Sequence, residues 1–174
     1  AVAAWEVRIR GRAATRWREY LFLLACGATG AVLGVLSDLL TSHLSPEYFV
    51  VGKGLAPGSG FLRQVVRFGL EAGFGVGAIG GCAMLFANSP RSGRGGLPYP
   101  RLGREGLGTV RSAVVGAAIG WLACRLTSLP ALRLELLSYL DPAGAARFVT
   151  VWGMHIGLYL GFAVGTIRAW RRIR

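Results

Sequence analysis

The chain has 174 residues, of which 53% are hydrophobic and only 16% are charged, and its mean hydropathy is +0.48. This composition is too apolar for an ordinary soluble domain and predicts an integral membrane protein. The formal net charge of +12 comes almost entirely from arginine, which leaves two interpretations open: nucleic-acid binding, or a signal that orients the chain in a membrane.

Four segments are long and apolar enough to form helices that cross a hydrocarbon core, which takes about 20 residues. They are residues 20–40, 65–87, 110–126 and 148–167. The third is the weakest, because Arg111 and Arg125 must extend from it toward the two interfaces. The first follows a basic segment, as in a signal peptide, but its length and the lack of a small-residue cleavage site predict that it is retained. Because the chain begins without Met, a few residues are expected upstream.

The positions of the basic residues decide between the two interpretations of the charge. With four spans, the polar segments alternate between two sides, and one side holds fourteen basic residues against six on the other. The positive-inside rule then places both termini and the loop 88–108 in the cytoplasm of a bacterial inner membrane. Nucleic-acid binding would need the arginines on one folded face with aromatic residues between them. We therefore expect the lipid bilayer as a partner and no nucleic acid.

The second half of the chain repeats the first. GAVLGVLSDLLTS, from Gly30, aligns at an offset of 86 with GAAIGWLACRLTS, from Gly116, and seven of the thirteen residues are identical. In the second and fourth spans, glycines recur every four residues and align at an offset of 84. Such a stripe of small residues predicts close packing of helix against helix. The aligned glycines are Gly69, Gly73, Gly77 and Gly81 in one span and Gly153, Gly157, Gly161 and Gly165 in the other.

The repeat predicts an all-α fold, an integral membrane four-helix bundle made of two helical hairpins. Both hairpins start on the same side of the membrane, so the repeat is parallel, with an approximate twofold axis along the membrane normal. The predicted units are a basic cytoplasmic tail (1–19), the first repeat (20–87), a flexible Gly/Pro/Arg linker (88–108), the second repeat (109–167) and a second basic cytoplasmic tail (168–174).

Apart from the arginines near the span ends, the acidic and imidazole side chains within the predicted spans are those of Asp38, Glu71 and His155. An ionisable group in the hydrocarbon is costly, by about 2.5–3.5 kcal/mol for a charged residue at mid-span, so each is a candidate functional residue. The repeat places Glu71 and His155 at equivalent positions, and both point away from the glycine stripe of their own helix. We therefore expect these two side chains to face each other across the repeat interface.

Ordinary structural roles remain open for all three residues. Arg67 precedes Glu71 at the spacing of a helical ion pair. Tyr159, one turn after His155, or a backbone carbonyl could satisfy a neutral imidazole. Asp38 lies at the outer end of its span, where the hydroxyls of the next turn could hold its carboxylate.

A sharper hypothesis joins these residues to the loop after the first span. His43 and Glu47 leave the membrane at the face where Glu71 and His155 are buried, so two imidazoles and several carboxylates come together. Neutral imidazole and carboxylate suit a divalent transition metal, and the same groups could relay protons. No pair among the four has a diagnostic ligand spacing. Tyr48 is a further polar candidate in the same loop.

The loop also carries a resemblance. SPEYF (45–49) and MHIGLYLG (154–161) resemble elements of a family of uncharacterised four-span bacterial inner-membrane proteins. The resemblance covers most of the chain and implies a four-helix integral membrane fold, without an activity. It marks Pro46, Glu47, Tyr48, Phe49, His155 and Tyr159; where that family often has Asn after the histidine, this chain has Ile156.

Three functions follow as hypotheses. The first is a binding or transport module, in which His43, Glu47, Glu71 and His155 bind a metal or conduct protons. The alternative is a non-catalytic accessory or structural subunit that self-associates or joins a larger membrane complex. An intramembrane enzyme ranks third, since the sequence has no nucleophile motif and no catalytic residue is assigned.

Overall fold

The computed structural model describes residues 5–6, 8–9, 11, 16–89, 96–127 and 130–174. Within these residues, four helices are long and apolar enough to cross a membrane, which confirms the predicted all-α four-helix fold. The elements in chain order are α1 (Arg16–Leu44), a π-helical turn (Tyr48–Gly52), α2 (Phe61–Ala87), α3 (Tyr99–Thr127), the short α4 (Pro130–Leu136) and α5 (Pro142–Ile173).

The four long helices form the two predicted hairpins, α1 with α2 and α3 with α5. In the first hairpin, the carbonyl oxygen of Gly69 occupies the space that a Cβ atom at Gly34 would need. In the second hairpin, Gly153 stands in the same relation to Gly120, and these two pairs are equivalent in the repeat. Backbones that approach this closely allow extensive van der Waals contact, which is what holds helices together in lipid.

The contacts between the hairpins are fewer than those within them, and the largest share joins α2 to α5. Phe162 of α5 fills the space above Gly80 of α2 near the end of the bundle where α1 begins and α5 ends, here called the termini end. At the opposite end, the loop end, segment 45–52 and α4 cover the bundle. The hydrophobic core is concentrated at the loop end, around Phe49, Val65 and Phe148. The loop end therefore contains the principal packed junction of the two hairpins.

The predicted flexible linker is wrong for its second half. Helix α3 begins at Tyr99, so residues 99–108 are helical, while residues 90–95 lie outside the described part. Two features explain the early start. The Asn88 side chain accepts a hydrogen bond from Leu97 N (2.6 Å) and donates one to Leu97 O (3.1 Å). In addition, Leu102 is fully buried. Pro100 is tolerated because the first turn of a helix does not require its N–H.

The final helix is longer than its predicted span at both ends. Asp141 caps its N-terminus by accepting from Gly144 N, and Pro142 follows at the first helical position. The helix continues to Ile173, so the predicted basic tail 168–174 extends α5 instead of leaving it. Parts of the basic N-terminal tail, including Arg10 and Arg12, and Arg91 and Arg94 of the linker lie outside the described residues.

Candidate functional site

The SPEYF segment forms a compact turn that directs two aromatic rings into the bundle. Ser45, fully buried, donates from Oγ to Glu47 Oε2 (2.9 Å) and accepts from Tyr48 N (3.3 Å). The proline after Ser45 disfavours helical geometry there, and α1 ends at Leu44. Tyr48 and Phe49 then enter the π-helical turn and are both buried.

The Tyr48 ring is packed among aromatic residues of both hairpins. It stacks on the His155 imidazole with 4.8 Å between ring centroids and an angle of 26°. Phe49 and Phe148 contact it edge-on, with centroids at 5.2 and 5.4 Å. Burial raises the pKa of the Tyr48 phenol, and nearby Tyr159 and Asp38 raise it further. Tyr48 is therefore a neutral hydroxyl-bearing residue over the whole physiological range.

His155 joins the second hairpin to the first through α1. Its Nε2 atom lies 3.1 Å from Thr41 Oγ1 and 3.8 Å from Asp38 Oδ1. The side chains of His155 and Asp38 are each only 7% exposed. The distance to Thr41 is that of a hydrogen bond, whereas the distance to Asp38 is too long for one and allows a charge interaction only when the imidazole is protonated.

The hydroxyl of Thr41 indicates which imidazole nitrogen carries the hydrogen. Thr41 Oγ1 donates its single proton to Ser37 O at 2.8 Å, the usual bond of a helical threonine to the preceding turn. Its lone pairs then accept from His155, so Nε2 of a neutral His155 is the donor and Nδ1 carries the free lone pair. A proton taken up by this imidazole binds at Nδ1.

A cleft of about 420 Å³ opens beside this pair at the loop end. His155, Tyr48 and Tyr159 line it together with Lys53, whose Nζ lies 5.4 Å from the centroid of the Tyr48 ring. Glu135 of α4 lines the same cleft. The cleft thus combines aromatic walls with an amine, an imidazole and a carboxylate, a combination typical of sites for small polar ligands.

Glu47 stabilises the same junction from the outside. Its carboxylate accepts a hydrogen bond from Arg147 of α5, and the two side chains are 21% and 48% exposed. Burial raises the pKa of Glu47, but hydrogen bonds from Arg147 and Ser45 outweigh burial and hold that pKa below its ordinary value of 4.5. The partly exposed ion pair contributes at most about 1 kcal/mol to stability.

This pair predicts an acid limit to stability. Because the pKa of Glu47 is lower in the folded than in the unfolded chain, its contribution is complete above about pH 4.5 and is lost as pH falls through the folded pKa. Glu47→Gln should reduce the unfolding free energy at pH 7 by about 1 kcal/mol or less, with the deficit shrinking below pH 4.5. SDS unfolding in mixed micelles between pH 3 and 7 measures it. Glu135→Gln is the control, and parallel pH profiles for wild type and Glu47→Gln would contradict the assignment.

Two of the four predicted metal ligands lie away from this site. Glu71 is 60% exposed on α2 and pairs with Arg67 at 2.7 Å, as its local spacing indicated. His43 is exposed and donates from Nδ1 to Leu39 O at 2.7 Å. Among the residues that the structure describes, no group of three or more His, Cys, Asp or Glu side chains is placed to hold a metal ion. The four-residue metal site predicted from the sequence is therefore not formed.

The structure also does not bring Glu71 to His155, so that expectation is wrong. His155 finds its partners in α1 and in the SPEYF turn, which the second half of the chain replaces with the unrelated LPALRLE. If the contact between His155 and Asp38 were repeated by the pseudo-twofold axis, Glu71 would lie against Cys124, which is the repeat equivalent of Asp38. Without a second SPEYF turn, Glu71 instead stays on the exposed side of α2 with Arg67.

Sequence reasoning selected Asp38, Tyr48, Tyr159 and His155 but missed how they connect. It did not identify Thr41 as the hydrogen-bond partner of His155, nor Lys53 as a residue of the cleft. Their common signal is weak: each lies close to SPEYF, the part of the loop without a counterpart in the second repeat.

Comparison with protein-family models, with curated proteins and with solved structures finds no match for this chain.

Proposed function

We propose that this chain is a small multi-pass membrane protein that binds a proton at the Asp38–His155 pair and links that proton to the cleft at the loop end. The observation that supports the proposal is the buried pair itself, with 3.8 Å between His155 Nε2 and Asp38 Oδ1 inside an apolar bundle. Ionisable residues at such positions usually mark proton or substrate sites.

The pair is suited to proton exchange for two reasons. First, the two groups are close enough for their charges to interact: opposite charges at this separation interact by about 1 kcal/mol even in bulk water, and by more where water is excluded. Second, His155 lines the cleft as well as contacting Asp38, so a ligand in the cleft would meet the imidazole and the Lys53 amine. A change in the charge of His155 therefore changes both the hairpin junction and the cleft.

The structure favours proton binding over proton conduction across the bundle. The Asp38–His155 pair lies toward the loop end, and from there to the termini end the hairpins are packed through glycine backbone. Conduction needs a chain of groups that exchange protons, and such a chain is not what a glycine-packed helix pair provides. In this proposal, the protein binds protons at one face of the membrane and links their binding to the cleft.

The proposed location follows the charge distribution. By the positive-inside rule, the larger number of arginines in the segments assigned to the termini end supports a cytoplasmic termini end and a cleft at the outer face of a bacterial inner membrane. The likeness of SPEYF and MHIGLYLG to four-span inner-membrane proteins supports the same location. The proton at the Asp38–His155 pair would then exchange with the medium outside the cytoplasm.

The presence of only two histidines makes the proposal testable by NMR. The protein is labelled with ¹⁵N-histidine in micelles, and the His155 signals are assigned with His43→Gln. We expect the ring signals of His155 to follow two macroscopic steps between pH 3 and 9, because a carboxyl group titrates beside it. In Asp38→Asn the same signals should follow one step.

Glu71→Gln is the matched control, since residue 71 is the repeat equivalent of His155 but lies on the exposed side of α2. Its His155 titration should retain both steps. A wild-type curve with one step, unchanged in Asp38→Asn, would refute the coupled proton site.

A further inference from the structure

A second cavity lies along His155's own hairpin, between α3 and α5, and shares Trp152 and Ile156 with the first cleft. It is a groove of about 630 Å³ whose middle is apolar, with Val115 and Ile119 on α3 and Leu160 and Val164 on α5. Glycines of the stripe form its floor, and the larger side chains of the two helices stand on either side of it. The groove therefore runs along the length of the two helices.

The groove has one charged end. Arg111 and Arg168 line it at the termini end, whereas Cys124 and Trp152 line it toward the loop end. Arg111 and Cys124 are separated by 13 residues of one helix, so the groove is about 20 Å long. One leaflet of the hydrocarbon core is about 15 Å thick, so the groove is long enough for an acyl chain that runs from the interface toward mid-membrane.

The two guanidinium groups are available to a ligand. Within the described residues, the structure gives neither Arg111 nor Arg168 a carboxylate partner, whereas nearby Arg172 has Glu105 at 3.4 Å. Arginine binds phosphate through a planar set of donors, often with two hydrogen bonds at once. Two such groups at the mouth of an apolar groove complement a molecule with an anionic head and an aliphatic chain.

The repeat provides an internal comparison. Both hairpins keep the floor glycines, but the positions of Arg111 and Arg168 are occupied by Ala25 and Met84 in the first hairpin. Helix packing through glycine therefore does not require these arginines, since the first hairpin packs in the same way without them. The charged mouth is a property of the second hairpin alone.

We propose that the α3–α5 groove binds one anionic phospholipid, with its phosphate at Arg111 and Arg168 and an acyl chain along Val115, Ile119, Leu160 and Val164. The proposal does not rest on the proton site, although Trp152 and Ile156 line both cavities. It assigns to the second hairpin a structural lipid in the leaflet at the termini end.

Native mass spectrometry tests this proposal on the full chain, released from micelles containing equal amounts of phosphatidylglycerol and phosphatidylcholine. Wild type should retain one phosphatidylglycerol in preference to phosphatidylcholine. Arg111→Gln/Arg168→Gln should lower that preference about thirtyfold, the size expected when two arginines, each contributing about 1 kcal/mol, lose contact with an anionic lipid. Ile119→Trp, which fills the groove and keeps the charge, should reduce retention of both lipids.

Arg101→Gln/Arg171→Gln is the matched control, because it removes the same charge at the same end without altering a residue that lines the groove. It should keep the preference. An equal loss in both double variants would mean general attraction of anionic lipid by a basic surface and would overturn the proposal. Unchanged lipid retention in Ile119→Trp would also overturn the proposal. Circular dichroism of each variant checks that the helices are intact.

Discussion

Gly73→Ala should be among the most destabilising single-methyl changes in this chain. The carbonyl oxygen of Gly30 occupies the space that the new Cβ needs, and the carbonyl carbon lies only 2.9 Å from it. Because both contacts are backbone, a rotamer change cannot relieve them and α1 must move away from α2. We expect the unfolding free energy to fall by about 2–3 kcal/mol.

Gly75→Ala provides the control on the same helix. A Cβ at position 75 meets nothing within 4 Å. Alanine there should be neutral or stabilising by up to about 1 kcal/mol, because it restricts the unfolded backbone and favours the helix. SDS unfolding of both variants in mixed micelles measures the difference. Equal effects at the two positions would show that the glycine stripe does not form the contact surface of the hairpin.

The second large effect is expected at His155. His155→Leu leaves the Asp38 carboxyl and the Thr41 hydroxyl buried without the imidazole, and it removes the stack with Tyr48. Removing one partner of a buried hydrogen bond costs about 1–3 kcal/mol, and the lost stack with Tyr48 adds to this cost. Asp38→Asn should cost less in the His155→Leu background than in wild type, since the partner is already absent.

The repeat again offers the control, which is Glu71→Leu. Glu71 is equivalent to His155 in sequence but its side chain is 60% exposed and paired only within its own helix. Its replacement should change the unfolding free energy by no more than about 0.5 kcal/mol. If His155→Leu and Glu71→Leu had equal effects, the hairpin junction would not depend on the imidazole.

The fold could be predicted because its causes are local or periodic. Hydropathy gives the number of spans, and glycines at every fourth position give the face on which helices meet, as Gly34 and Gly69 confirm. The prediction of a flexible linker at 88–108 was wrong because it relied on the Gly/Pro/Arg composition alone. Helix α3 starts within this segment, at Tyr99, and Leu102 is buried. Pro100 is compatible with the first turn of α3, and the buried Leu102 stabilises that turn.

The site could be predicted only in part, because its central contact joins residues 114 positions apart. The sequence identified His155 and Asp38 as costly in a membrane, yet it paired His155 with Glu71 by symmetry. Symmetry failed where the repeats differ, since the SPEYF turn occurs once and gives only His155 a stacking partner. A metal site was also predicted from residue types alone, whereas the fold directs Glu71 and His43 away from His155.

The carboxyl group of Asp38 is the most direct reporter of the central claim, because the chain has only two aspartates. With ¹³C-labelled Asp and ¹⁵N-labelled His in one sample, Asp38 is distinguished from Asp141 by Asp141→Asn, and both groups are titrated together. If Asp38 and His155 form one coupled proton site, the Asp38 carbon and the His155 nitrogens change in the same two steps, and His155→Leu reduces the carbon curve to one. Independent single-step curves for Asp38 and His155, with the carbon curve unchanged in His155→Leu, would contradict it.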